Sequence, residues 1–463
     1  MPTLETLELE SKEILEECPQ LRVVVSGKSG VGKTSLIGTT FGIDKNAASH
    51  GERGTCDIKE PIVSEQNKLF ALHDSEGYEP GDSKKAKVVQ DFLVSHSGDN
   101  VALKDQVHVI WLCIQLPHAG GRAFETGDED LLKLAIELKI PVVVVFTRYD
   151  TLLNSMNRQL RGDTPEIRAE KIEARFEGLC VAPLHAVHKD LPYARTSGLS
   201  GKGKAKPDWE ALDALITTTK DAIEARFPTN AWIVAAMAQR ASVEEKNNAA
   251  IAVGMKRYWS GIASSTRFPG TQLEKCLNTV HKEMTDSWNL YDPDDLLQSL
   301  EFVERVRTLA QLVTPDVSTA PMRLPNLDTI QGIAGIVGAG AFAVALPSIA
   351  VIGLTGWFLG FLARAYFATP ETLRCFMGYI VDLSLVLDKL FRITLLRACR
   401  PITQAEIEQA FDQYKEGELG RVHREIRQFA GKATIQEIVR TKPAEEKIKE
   451  LIKQYSSDFR IQS

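Results

Sequence analysis

The run Leu21-Arg22-Val23-Val24-Val25-Ser26-Gly27-Lys28-Ser29-Gly30-Val31-Gly32-Lys33-Thr34-Ser35 constrains this chain more than any other stretch. It is a buried-strand pattern, a GxxxxGK[ST] loop and the opening of a helix, in that order. Gly27, Gly30 and Gly32 let the backbone curl so that consecutive N–H groups face a pyrophosphate, and the positive end of the following helix adds to that field. Lys28, Ser29, Val31 and Ser35 complete the cradle. Lys33 is then placed to reach the β- and γ-phosphates, and the Thr34 hydroxyl to coordinate Mg²⁺. A strand feeding such a loop predicts an α/β domain with a mostly parallel sheet.

Downstream, Leu69 to Asp74 reads as an apolar strand that ends in Asp74-Ser75-Glu76-Gly77, a DxxG pattern. Asp74 there holds Mg²⁺ through water and the Gly77 N–H touches a γ-phosphate. Next, Pro141 to Phe146 is a continuous β-branched run, the pattern of a parallel strand buried on both faces. It ends in Thr147-Arg148-Tyr149-Asp150, which resembles the [NT]KxD guanine-reading motif of the GTPases with arginine in the lysine position. A carboxylate at Asp150 accepts both N1–H and the N2 amino group of guanine, whereas adenine offers no matching pair of donors and leaves the acid unsatisfied. Arg148 keeps the charge and can stack on the base, although arginine and lysine are not interchangeable. Thr55 lies between the first helix and the Leu69 strand, where a metal-sensing threonine belongs. Tyr193 to Ser197 is the expected loop backing the guanine, with Ser197 as its contact.

With these residues in place, the chain resembles the Era-like and septin-like side of the translation-factor class of GTPases, and more closely a family of fungal G-domain-containing proteins. The resemblance rests on Gly27–Ser35, His73–Glu79, Val109–Ile114, Gly120–Glu125 and Phe146–Asp150, and continues through Ala238-Gln239-Arg240-Ala241-Ser242 and Lys256-Arg257-Tyr258-Trp259. It implies binding of GTP and GDP with Mg²⁺. In small GTPases the residue after DxxG is commonly a glutamine that orients the attacking water; here it is Tyr78. Gly30 occupies the place of the asparagine with which some relatives hold potassium. Slow turnover is therefore expected, speeded by self-association as a homodimer or by an effector protein. Lys28 and Arg53 can supply transition-state charge, with exposed loop residues as the other reading. The group that positions the water stays unassigned.

At 463 residues the chain is too long for one ordinary domain. The expected division is an amphipathic leader at 1–20, a GTP-binding domain at 21–227 and a helical domain at 228–463. A net charge of −6 disfavours a nucleic-acid footprint, and Lys202, Lys204 and Lys206 read as a glycine-interleaved loop. The seven cysteines show no CxxC spacing, which fits reduced thiols in the cytoplasm. His185 and His188 share a loop-like region without metal-ligand partners. Asn157 to Leu179 looks like a solvent-facing helix inserted beside the base site.

Beyond Thr229 the strand signal stops, and Ala231 to Ser264, Gln272 to Leu290 and Pro293 to Val313 read as helices. The stretch between Asp328 and Arg364 carries no charge. Two readings stand for its apolar, glycine-rich core at 329–363: a buried helical hairpin, or a hairpin that associates with a membrane. Leu373 to Leu396, with Arg374, Asp382, Asp388 and Lys389, is expected to turn one side to solvent. Charged helices such as Glu406–Tyr414 and Ala444–Tyr455 close the chain. The function implied is a GTP-binding switch with slow Mg²⁺-dependent hydrolysis, coupled to a helical or membrane-associating domain. A scaffold that holds nucleotide with little hydrolysis is the alternative. An ATP-dependent P-loop kinase is the third class, to be rejected unless Asp150→Ala leaves nucleotide preference unchanged.

Overall fold

Alternation within β1 (Leu21–Ser26) sorts its side chains onto two faces of a sheet, because successive residues of a strand point to opposite sides. Val23 and Val25 enter one apolar cluster and Val24 the other, all fully buried. The computed structural model describes residues 10–43, 58–74, 83–117, 121–199, 207–227, 231–253, 271–313, 369–395, 397, 400–430 and 443–456. After β1 come α2 (Lys33–Phe41; α1 is Glu10–Glu17), the hairpin β2 (Ile62–Ser64) and β3 (Asn67–Asp74), α3 (Ser83–Ser95), β4 (Val109–Gln115), α4 (Thr126–Glu137) and β5 (Val142–Thr147). Then follow α5 (Tyr149–Gln159), α6 (Pro165–Phe176), α7 (Ala182–Val187), β6 (Tyr193–Arg195) and α8 (Trp209–Arg226).

Among the described residues six strands are ordered β2-β3-β1-β4-β5-β6. Every neighbouring pair is parallel except β2 and β3, which are antiparallel with a register shift between Val63 and Ser64. Helices α2 and α8 cover one face and α3, α4, α6 and α7 the other. This is the expected α/β arrangement, and it brings the carboxyl ends of β1, β3, β4 and β5 to one side. Ligands of open parallel sheets bind at such an edge.

Two further helices, α9 (Ala231–Ala238) and α10 (243–253), finish the sheet's cover. All but one residue of α9 are buried, and they pack in the cluster that holds Val23 and Trp111. The boundary expected between 227 and 228 falls within that cluster. Helix α10 serves two cores: Ala249 and Val253 join the sheet side, while Val243, Ala250 and Ile251 join the helical cluster. Gln239 breaks the helix expected over 231–264, its amide oxygen accepting from the Ala241 and Ser242 N–H groups at 2.6 and 2.7 Å.

The helical region comprises α11 (Thr271–Trp288), α12 (Leu300–Gln311), α13 (Thr369–Leu395), α14 (Gln404–Gly417), α15 (Leu419–Ala430) and α16 (Pro443–Tyr455). Helix α13 corrects the sequence expectation. It has no solvent face between 376 and 391, where every residue is buried, because it is the axis on which the other helices pack. Its charges are matched: Asp382 accepts from the Tyr414 hydroxyl at 2.5 Å and lies 3.1 Å from His423 Nε2, Asp388 accepts from Arg392 one turn on at 2.8 Å, and Lys389 donates to Glu418 at 2.9 Å. Burial still pushes Asp388 up to about 6 against the pull of Arg392 and Lys389. No described helix is long and apolar enough to cross a membrane. The 329–363 stretch, residues 1–9 and the Lys202–Lys206 loop lie outside the described residues.

Candidate functional site

The loop between β1 and α2 takes its shape from glycine. Gly27 has φ +136°, and a Cβ there would stand 2.2 Å from the Cys113 carbonyl oxygen, so β4 passes directly beneath the cradle. Gly30 and Gly32 also have positive φ, and Gly32 caps α2. Val31 is buried, whereas Lys28, Ser29 and Gly30 face outward. The Lys33 ammonium folds over the loop and donates to the Gly27 and Lys28 carbonyls at 2.7 and 3.1 Å. Thr34 is exposed in the first turn of α2, and the Ser35 carbonyl accepts from Thr39 at 2.9 Å.

Asp74 ends β3 in register with Val25 of β1. Burial pushes the Cys113 thiol up to about 12, with Lys33 lowering it and Asp74 raising it. The loop lysine and the strand-end carboxylate thus act on the same buried atom. Thr34 and Asp74 offer hard oxygen donors of the kind Mg²⁺ takes together with waters and phosphate oxygens. Among the described residues no group of three or more His, Cys, Asp or Glu could hold a metal on its own. His185, expected in a loop, lies in α7, and His188 follows that helix.

The Thr147–Asp150 motif is tied directly to the phosphate loop. The Thr147 hydroxyl donates to the Val31 carbonyl at 2.8 Å, and the Arg148 guanidinium donates to the Gly30 carbonyl. Arg148 therefore reaches the loop in addition to carrying charge. It has φ 58°, a left-handed conformation that turns the chain out of β5 so that Asp150 lies in the first turn of α5. Residues 193–195, expected as loop, form β6 instead. The loop begins at Thr196, whose carbonyl accepts from the Tyr149 N–H at 3.0 Å. The Ser197 hydroxyl donates to Asp208 at 3.0 Å, and Asp208 caps α8. Thr55, Gly77, Tyr78 and Arg53 lie outside the described residues.

Several contacts that sequence reading missed bear on this site. Lys28 pairs with Glu125, which caps α4 in a reciprocal arrangement with Asp128. The Glu125-Thr126-Gly127-Asp128 spacing ahead of an apolar helix was the available signal. On the opposite side, Arg195 lies 4.6 Å over the Tyr149 ring and pairs with Glu173 of α6 at 2.7 Å. No local spacing reveals a contact between residues 46 apart in the chain.

A junction connects the end of α2 to the helical region. Arg240 Nη2 donates to the Gln66 carbonyl at 2.9 Å and to the Asn289 carbonyl at 3.0 Å, and the Arg240 N–H donates to Thr40 at 2.6 Å. A Cβ at Gly42 would meet Arg240 Cδ at 2.6 Å, so the side chain lies flat on that turn. Asn67, at the start of β3, donates to the Phe41 and Ala238 carbonyls and accepts from Asn289 at 2.9 Å.

Residues 22–148 match the family described as "50S ribosome-binding GTPase". Residues 296–459 match one described as "Domain of unknown function (DUF8505)". The chain is 23% identical over 170 residues to "GTPase Der" of Ureaplasma urealyticum serovar 10, covering 37% of this chain and 36% of that protein. It is 22% identical over 173 residues to "GTPase Der" of Ureaplasma parvum serovar 3, covering 37% and 36%. The chain thus spans about a third of the length of these curated relatives. It carries a P-loop GTPase domain, followed by a helical region.

Proposed function

We propose that this chain is a GTP-binding switch whose nucleotide state is passed to the helical domain, with slow Mg²⁺-dependent hydrolysis. The observation that carries the reading is the pair of bonds from Thr147 and Arg148 to the Val31 and Gly30 carbonyls, which links the phosphate cradle to the segment that bears Asp150. In this reading Lys33 neutralises β- and γ-phosphate charge and Asp150 accepts the guanine N–H groups. Thr34 and Asp74 hold the Mg²⁺, which supplies further neutralisation at the phosphates. Thr55 and the Gly77–Tyr78 segment sense the γ-phosphate. Tyr78 in place of a water-orienting glutamine supports slow turnover. The reading includes a kinship with Era-like, septin-like and fungal G-domain proteins, supported by the resemblance of the sequence motifs. The unpatterned cysteines, of which Cys18, Cys113 and Cys180 are buried and free, support a cytoplasmic setting.

Titration with fluorescent GTP, GDP and ATP in the presence of Mg²⁺ tests the nucleotide assignment. Wild-type protein is expected to prefer guanine nucleotides, and Asp150→Ala to lower that preference by about a hundredfold by removing a bidentate acceptor. Absence of measurable GTP and GDP binding by the wild type would overturn it.

The Arg240–Asn67–Asn289 junction is the route to the helical domain, since it joins the turn after α2 and the base of the β2–β3 hairpin to the end of α11. Hydrogen exchange of the α13 amides should differ between the GTP-analogue and GDP forms. Asn289→Ala is expected to shrink that difference at least about threefold, the worth of one buried hydrogen bond, while GTP affinity stays within about threefold of wild type. A variant that keeps the full nucleotide-dependent difference would remove the junction from the mechanism.

A further inference from the structure

Arg195, within the segment expected to back the guanine but given no role there, is the hub of the base-side contacts. Its guanidinium lies 4.6 Å from the Tyr149 ring centroid and 5.5 Å from that of Phe176. Nη1 donates to the Tyr149 hydroxyl at 3.1 Å and to Glu173 Oε2 at 2.7 Å. Tyr149 stands edge-on to Phe176 with ring centroids 5.5 Å apart, and only 8% of it is exposed. The aromatic wall is therefore buried, and Arg195 closes it from the solvent side.

Tyr149 is flanked by the two residues that matter for base reading. Arg148 before it adopts a left-handed backbone, which an arginine does not hold without support from its surroundings. Asp150 follows it. The turn is fixed on the phosphate side by Thr147 and Arg148. On the β6 side it is fixed by the Tyr149 N–H to Thr196 bond and by Arg195 on the ring. Resting on the GTP-binding reading above, we propose that Arg195, braced by Glu173 of α6, is a positioning residue for guanine selectivity: it locks Tyr149 so that the Asp150 carboxylate meets the base in one orientation.

The expected action is on discrimination, not on phosphate binding, because Arg195 acts through Tyr149 and the cradle carries its own contacts. In titrations with fluorescent GTP and ATP at fixed Mg²⁺, Arg195→Ala should weaken GTP binding about three- to tenfold, the loss of one cation–π contact and one hydrogen bond, and leave ATP binding unchanged. Arg195→Lys keeps a cation near the ring but not the planar guanidinium that stacks on it while bonding Tyr149 and Glu173, and should fall between. Glu173→Gln keeps an acceptor for Arg195 and should stay closer to wild type than Arg195→Ala. Thermal melting identifies a variant that has merely lost its fold, in which case the ratio for Arg195→Lys decides. A GTP-to-ATP ratio unchanged in Arg195→Ala, or in Arg195→Lys where the former does not fold, overturns the proposal. A wild type without guanine preference overturns the GTP reading instead, so the two failures are separate.

Discussion

Lys33→Ala is expected to raise the Kd for both GTP and GDP by at least about a hundredfold, the loss of two charge-assisted contacts to phosphate. The Lys33 ammonium is held by the Gly27 and Lys28 carbonyls at 2.7 and 3.1 Å, directly above the curled loop. An incoming triphosphate meets a cation already in place and pays little to order it. Without that cation the remaining cradle consists of N–H groups and a helix terminus, which attract phosphate by partial charges alone. The side chain is half-exposed, so its two carbonyl partners can turn to water when it is removed. Stability should accordingly change by less than about 1 kcal/mol. Lys33→Arg is expected to restore little, because a planar fork does not fit where a compact ammonium sits between two carbonyls. Titration with a fluorescent guanine nucleotide measures the effect, and wild-type affinity in Lys33→Ala would remove this lysine from the phosphate site.

Asp382→Ala should destabilise the helical region by about 3–5 kcal/mol, the usual cost of removing one partner from a buried polar cluster. Asp382 is fully buried on the axis of α13, within 2.5 Å of the Tyr414 hydroxyl and 3.1 Å of His423 Nε2. Burial and the adjacent Asp382 carboxylate hold the Tyr414 phenol well above its usual pKa, so it donates to Asp382 at neutral pH. Alanine leaves that hydroxyl and the imidazole of His423 with a void and no acceptor. Asp382→Asn keeps an oxygen for Tyr414 and should be markedly milder. Hydrogen exchange across residues 376–391, together with thermal melting, reads the loss. Unaltered protection in Asp382→Ala would mean that packing alone holds the axis.

The sheet was legible because its strands obey a local rule. The valine-rich runs at 23–25 and 142–145 are buried on both faces of a parallel sheet, and such runs have few other destinations. The cradle was legible for the same reason, since Gly27, Gly30 and Gly32 are required by backbone shape alone. Helix α13 misled because Asp382, Asp388 and Lys389 look like a solvated stripe. Asp388 has Arg392 one turn on, but the partners of Asp382 and Lys389, namely Tyr414, His423 and Glu418, lie 29 to 41 residues away in the chain. Periodicity cannot separate a charge facing water from a charge facing a distant counter-charge. Strand signal ends before 229, and no local pattern shows that α9 packs on the sheet side while α10 divides its residues between two cores. At the site, Ser197 and Arg148 were expected as contacts to the guanine nucleotide. Their bonds to Asp208 and Gly30 depend on turns that no spacing rule encodes.

The outermost strands of the sheet, β2 and β6, each span three residues, and β2 changes register between Val63 and Ser64. So short a rim offers an incoming chain too few free amides and carbonyls to graft another strand. Among the described residues the sheet therefore ends in rims that resist being lengthened by a strand from another copy.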